Sequence, residues 1–328
     1  METDDMAPEN RRKLEFKTFQ KELRFVKSLA DFKYFLQKIS LVLPRVTGTI
    51  DRWAKVPPTL QIEPTRLSNI NASSCSRHKS ERPAGNMDLE LFRKITDNAA
   101  RIGVKRIGLY SCGEPLMHPE IVDMIRYIKS RDMAFHLTTN GALLSATLGD
   151  AILRSGVTSA DYVSITMLGI FEAVHETVMK GINHRQVEEN VKNFLGKRRV
   201  LGKNGPVTET VFYSVPENEH ELQPFLDYWS QVADHARNGG TAARNFNDGG
   251  SATKARTRRC AQLWDSMAVY WNGDVPFCAE DRDGKQIIGN LRDQSIEEIW
   301  QSKELFEIKK RHKAGQFDTI PTCQYCDR

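Results

Sequence analysis

From about residue 58 onward, short apolar runs of strand length alternate with longer stretches whose apolar residues recur every three or four positions. A period near two marks a pleated strand, and a period near 3.6 marks a helix with one buried face. The pattern predicts strands over 59–65, 106–111, 134–139, 162–166 and 207–215, with a weaker sixth over 231–237. Helices are expected over 88–101, 120–131, 147–155, 186–200 and 219–230. Gly103 and Gly156 stand just past two of those helix ends, where the chain commonly turns left-handed. Six strand–helix units in series predict an α/β fold, a parallel sheet wrapped by helices. In such folds the chemistry gathers in the loops that leave the C-terminal strand ends.

Upstream of these units the pattern is different. Phe16, Phe19, Leu23, Val26, Leu29, Phe32, Phe35, Ile39 and Val42 follow steps of three and four, the stripe of an amphipathic helix, and Pro44 and Gly48 follow as stop signals. Residues 11–58 carry twelve Lys and Arg against four Asp and Glu, so this stretch holds more positive charge than the whole chain, whose balance is 47 − 42 = +5. Two readings stand: a helix packing its apolar stripe on the main domain, or a basic helix making peripheral contact with an anionic membrane surface. No nucleic-acid partner is expected, because the total charge is modest and no nucleic-acid motif accompanies the patch.

Composition narrows the class. With 328 residues, 40% hydrophobic and 27% charged, the chain has enough apolar content for a core. No apolar run approaches the ~18–20 residues of a membrane span. The first ten residues are acidic and polar rather than an export signal, so a cytoplasmic location is expected. The expected organisation is a basic helical extension over 1–57, a barrel-like domain over 58–237, a Gly- and Asn-rich linker over 238–255, and a small cysteine-rich domain over 256–328.

Four of the six cysteines fall in that last segment: Cys260, Cys278, Cys323 and Cys326. Cys323-x2-Cys326 is a chelating pair, since a tight turn aims both sulfurs at one centre. The turn Asn272-Gly273-Asp274 follows an apolar run and is expected to bring Cys278 toward Cys260. Four thiolates in one small domain suit either an iron–sulfur cluster or a structural zinc ion, and spacing does not choose between them.

Two segments carry a resemblance. Residues 108–144, GLYSCGEPLMHPEIVDMIRYIKSRDMAFHLTTNGALL, resemble the second and third strand regions of radical S-adenosylmethionine (SAM) enzymes, with their GEP and TNG turns. The tail, with CAQLWDSMAVYWNGDVPFC, IIGNLRDQSIEEIW and CQYC, resembles the SPASM-type C-terminal extension. The resemblance covers residues 59–328 in the family's order. It implies a partial (β/α)6, TIM-like barrel, an auxiliary 4Fe–4S cluster on Cys260, Cys278, Cys323 and Cys326, and a second 4Fe–4S cluster in the first loop. That second cluster uses three cysteines spaced C-x3-C-x2-C and leaves one iron open for SAM. Reduction then yields a 5′-deoxyadenosyl radical that abstracts hydrogen from a sugar, aminoglycoside or peptide, with flavodoxin or ferredoxin as electron donor. By the same resemblance Gly113 and Glu114 line the methionine end of SAM, Asn140 and Gly141 shape the same cleft, and Ser164 approaches the ribose. His118, His136 and His175 read as structural, and no general base is assigned.

The first loop departs from the family. Its three cysteine positions fall on Ser68, Ala72 and Cys75, and Asn69 supports that register. Alanine offers no donor, and a serine hydroxyl is a poor substitute for thiolate at iron–sulfur iron. One thiolate does not hold an open-site cube, so radical chemistry is expected to be absent or severely weakened. The alternative expectation is a non-catalytic relative, a metal-stabilised binding or partner protein. Cys112, where the family often has glycine, reads as a small buried residue.

Overall fold

The computed structural model describes residues 55–70, 82–241, 260, 262–324 and 326. The amphipathic stripe of the amino-terminal stretch, Ala72, Cys75 and residues 242–259 lie outside the described residues.

The main sheet is built from β1 (Thr59–Ile62), β2 (Arg106–Leu109), β3 (Ala134–Thr139), β4 (Tyr162–Met167), β5 (Val207–Ser214), β6 (His235–Thr241) and β7 (Ser266–Val269). Their spatial order is β6-β5-β4-β3-β2-β1-β7, with every neighbour parallel. The helices between them are α1 (Leu89–Arg101), α2 (Ile121–Ser130), α3 (Ala146–Leu153), α4 (Glu172–Val178), α5 (His184–Val200) and α6 (Leu222–Val232). β6 and β7 end the order and do not pair with each other, so the sheet is an unclosed, partial barrel.

Strand alternation sorts the two faces. In β1 and β3 every second residue is fully buried under the helices, among them Leu60, Ile62, Phe135 and Leu137, while the intervening residues are only half-buried. Each such aliphatic side chain contributes roughly 1.5–3 kcal/mol by leaving water. The core therefore sits on the helical side, and the opposite face is left for polar groups. Helix starts are set by side chains: Asp88 accepts from Leu91 N at 2.7 Å, and Ser145 and Asn183 cap α3 and α5 in the same way.

Two expectations are corrected. The sixth strand begins at His235, because α6 continues through Gln231 and Val232. The run at 266–269, expected in the separate small domain, is β7: it pairs with β1 in the register Thr59↔Ser266 to Ile62↔Val269, so the main sheet continues past residues 238–255. Beyond it come the antiparallel pair β8 (Asp274–Pro276) and β9 (Ile287–Asn290), then α7 (Ile296–Trp300), α8 (Lys303–Lys313) and α9 (Pro321–Gln324). Among the described residues no helix is long and apolar enough to cross a membrane.

Candidate functional site

The half-buried face of the sheet encloses a cleft of about 390 Å³. Gln61, His136, Thr166, Tyr213, Arg237 and Ser266 reach it from six of the seven strands, and Tyr110 from just beyond β2. One cavity touched by so many parallel strands requires a curved sheet. The segment after β7 adds Ala279, Glu280 and Arg282 to its wall.

The loops at the strand ends are tied together at the mouth. Glu114 N donates to the carbonyl of Leu67 at 2.8 Å, joining the loop after β2 to the first loop. The approach is so close that a Cβ on Gly113 would lie 2.0 Å from the Thr65 carbonyl oxygen, which explains glycine there. The buried Glu114 carboxylate accepts from Leu116 N (3.1 Å), Thr139 Oγ1 (2.6 Å) and Asn140 N (2.9 Å), so it clamps the loop after β2 to the end of β3. Burial pushes its pKa up, and those three donors oppose the shift. Asn140 Nδ2 donates to Asn69 Oδ1 at 2.8 Å and closes the ring back to the first loop. Gly141 follows in the left-handed region, at φ 78°. Gly113, Glu114 and Asn140 thus meet at one end of the cleft, beside Ser68 and Cys112.

Ser164 sits mid-strand in β4, behind the cleft wall rather than on it. Its hydroxyl lies 2.6 Å from His136 Nε2 and 2.5 Å from Glu209 Oε1. Glu209 in turn takes two bonds from Arg237, at 3.0 and 3.1 Å. A continuous polar chain, His136–Ser164–Glu209–Arg237, therefore crosses β3 to β6. Burial works against the Glu209 charge, but the Arg237 guanidinium holds its pKa below the usual range. This chain escaped sequence reading because each member lies alone in the middle of its strand. His118 is structural as expected: its two ring nitrogens bond Met87 O (2.8 Å) and Glu120 N (3.1 Å).

Where β1 meets β7, the buried Glu63 carboxylate is paired with Arg82 at 2.5 Å. The Arg82 guanidinium also stacks on Tyr270, 3.2 Å from the ring centre, and donates to the Arg282 carbonyl at 3.2 Å.

The donor sets differ in what they fit. At the first loop, the Ser68 hydroxyl accepts from Ile70 N at 3.3 Å, a local turn. An open-site iron–sulfur cube is held by thiolates, and the Ser68 hydroxyl and the alanine at motif position 72 supply none, so this set does not fit one. The tail is otherwise. Cys278 is in electrostatic reach of Cys260 and Cys323; burial raises its thiol pKa first and those neighbours add to it. The Cys326 N–H bonds the Cys323 carbonyl at 3.2 Å, which folds the two-residue spacing into a turn. All four are thiols, and their chemistry fits iron–sulfur ligation. Among the described residues, no three Cys, His, Asp or Glu side chains are gathered closely enough for a single metal ion.

The Radical SAM superfamily model matches residues 63–228, and the SPASM iron-sulfur cluster-binding domain matches residues 260–327. Among curated proteins, a tungsten-containing aldehyde ferredoxin oxidoreductase cofactor-modifying protein of Pyrococcus furiosus is 29% identical over 170 residues, 52% of this chain and 47% of that protein. An AdoMet-dependent heme synthase of Methanosarcina barkeri is 26% identical over 303 residues, 76% of this chain and 84% of that protein. The chain thus spans about half the length of the first of these relatives. Among solved structures, BtrN in complex with AdoMet and 2-DOIA shares the fold with a TM-score of 0.55 at 16% identity, over 83% of this chain and 94% of that one. Streptococcus suis SuiB bound to S-adenosylmethionine does so with a TM-score of 0.57 at 13% identity, over 92% of this chain and 78% of that one. The two domains imply 4Fe–4S clusters and SAM as the cofactors of this fold. The chain belongs to the radical SAM superfamily and carries a SPASM domain.

Proposed function

We propose that this chain holds one iron–sulfur cluster, on Cys260, Cys278, Cys323 and Cys326, and that its barrel cleft, as the sequence stands, does not cleave SAM. The observation that carries this reading is the first-loop donor set: Ser68 and Ala72 occupy positions where the family has thiolates. The surrounding mouth is intact, since Gly113, Glu114, Asn69 and Asn140 still tie three loops together. Those residues would shape the methionine end of a bound SAM, and the cluster on the tail would supply electron transfer. The cleft wall is rich in hydroxyl, amide, carboxylate and guanidinium groups, which suits a sugar, an aminoglycoside or a peptide. The kinds of molecule held by similar proteins support that range: BtrN was solved with 2-DOIA, and SuiB with its precursor peptide SuiA. The chain then works as a binding or partner protein built on an enzyme scaffold.

The test is an anaerobic preparation with iron, sulfide and zinc counted per chain. About four iron and four sulfide support one tail cluster; about eight of each overturn the reading of the first loop, and a colourless protein with about one zinc overturns the cluster. The double variant Ser68→Cys with Ala72→Cys should raise the iron count to about eight and produce 5′-deoxyadenosine from SAM under reduction. If it does neither, the scaffold has lost more than its ligands.

A further inference from the structure

We propose that His136 is a specificity-determining residue of the cleft, presenting a bare Nδ1 that accepts a hydrogen bond from a hydroxyl or ammonium group of the bound molecule, with Ser164 and Glu209 as positioning residues behind it. The proposal rests on the reading of the cleft as a binding site and goes further, to the chemistry it selects.

The argument is a count of protons. Ser164 has one hydroxyl hydrogen. The Glu209 carboxylate, ionised and paired with Arg237, only accepts, and it lies 2.5 Å from Ser164 Oγ, so that hydrogen points to Glu209. His136 Nε2 lies 2.6 Å from the same oxygen and must be the donor in that contact. The proton of a neutral ring is thereby assigned to Nε2, and Nδ1 keeps its lone pair. Nδ1 has no partner among the described residues and is not sealed off from solvent, so it is open to the cleft that His136 lines.

The surroundings keep the ring neutral. Burial is the main cause, Glu209 opposes it, and the cations Arg106 and Arg237 reinforce it, so that the pKa falls to about 4. Tyr110 from beyond β2 and Tyr162 from β4 pack against the ring, with centroids at 5.3 and 5.9 Å. A carbonyl or phosphate oxygen would meet Nδ1 lone pair to lone pair, whereas a hydroxyl or ammonium finds a fixed acceptor. The carboxylate–hydroxyl–imidazole chain thus selects donors, as amino sugars and aminocyclitols carry.

Histidine ¹⁵N spectroscopy of the full-length, ¹⁵N-labelled chain tests the relay without any ligand, with His136 assigned through His136→Asn. The expected spectrum shows a protonated Nε2 and an unprotonated Nδ1 that persist well below the ordinary histidine pKa of 6.5. A protonated Nδ1, or an imidazolium at pH 6, overturns the proposal. In Ser164→Ala and Glu209→Gln the tautomer preference should weaken; an unchanged spectrum in both removes their positioning role. Glucosamine and triglycine are then titrated. A ligand that binds should move the Nδ1 resonance and lose about tenfold affinity in His136→Phe, the worth of one lost hydrogen bond to a buried group. Binding that leaves Nδ1 unmoved overturns the proposal and spares the cleft. Failure of both probes to bind removes the cleft reading, and the proposal with it.

Discussion

Replacing Glu114 by glutamine changes one atom of a buried carboxylate, and the geometry says what that atom does. Oε1 accepts from Leu116 N and Thr139 Oγ1, and Oε2 accepts from Asn140 N. Glutamine has one carbonyl oxygen and one NH2. With the oxygen in the Oε1 place, the NH2 faces the Asn140 N–H. With the amide turned over, it faces the Leu116 N–H. Either way one backbone donor meets another donor. A buried donor left unsatisfied costs about 1–3 kcal/mol. The two surviving bonds also lose their charge assistance, while the neutral amide recovers part of the carboxylate's desolvation cost. The net expectation is a loss of about 1–3 kcal/mol, larger for Glu114→Ala, which leaves both backbone donors bare. Anaerobic urea unfolding followed by tryptophan fluorescence reads the total, and amide hydrogen exchange reads the site: protection at Asn140 should fall by about tenfold or more. A Glu114→Gln protein within about 0.5 kcal/mol of the parent, with the Asn140 amide equally protected, would refute the clamp.

Other expectations follow from neighbouring features. Burial, reinforced by the facing His184, holds the His175 pKa at about 4 against 6.5. Since the folded value is the lower one, the stability it contributes is complete above pH 6.5 and lost as pH falls through about 4. That is about 3 kcal/mol in all and about 2 kcal/mol by pH 5, and urea midpoints in His175→Leu should lose this part of the pH slope. Arg82→Ala strands the Glu63 carboxylate, whose side chain is 0% exposed, and should cost about 3–5 kcal/mol in urea unfolding, partly recovered in the double variant with Glu63→Ala. Gly113→Ala should cost about 3 kcal/mol in thermal unfolding, because the atom in its way is backbone, whereas Gly196→Ala in α5, with nothing within 4 Å, should gain about 0.5–1 kcal/mol.

The strands that pack under helices were legible from residue order. β3 matched its expected span of 134–139, because Phe135, Leu137 and Thr139 alternate with half-buried neighbours. β6 was displaced, since His-Ala-Arg-Asn-Gly-Gly-Thr has no apolar alternation: it is an edge strand, and Arg237 on it faces a polar cleft. β7 looked like part of the tail because its apolar run adjoins the 272–274 turn, while its pairing with β1 lies about two hundred residues away. The same separation hid the polar chain. His136 and Arg237 are each unremarkable in sequence, and only the parallel register brings Ser164 opposite Glu209. Gly113, Glu114 and Asn140 were found through motif resemblance, which pointed to the mouth but not to the clamp that Glu114 makes there.

The pairing of β7 with β1 has a consequence for dissection of the molecule. Cutting the chain at residue 255 would not release a trimmed barrel. It would bare the outer rim of β1, from Thr59 to Ile62, whose ladder partners are Ser266 to Val269. A row of unsatisfied amides and carbonyls on an apolar strand is a template for other chains, so the shortened protein should self-associate rather than behave as an independent unit.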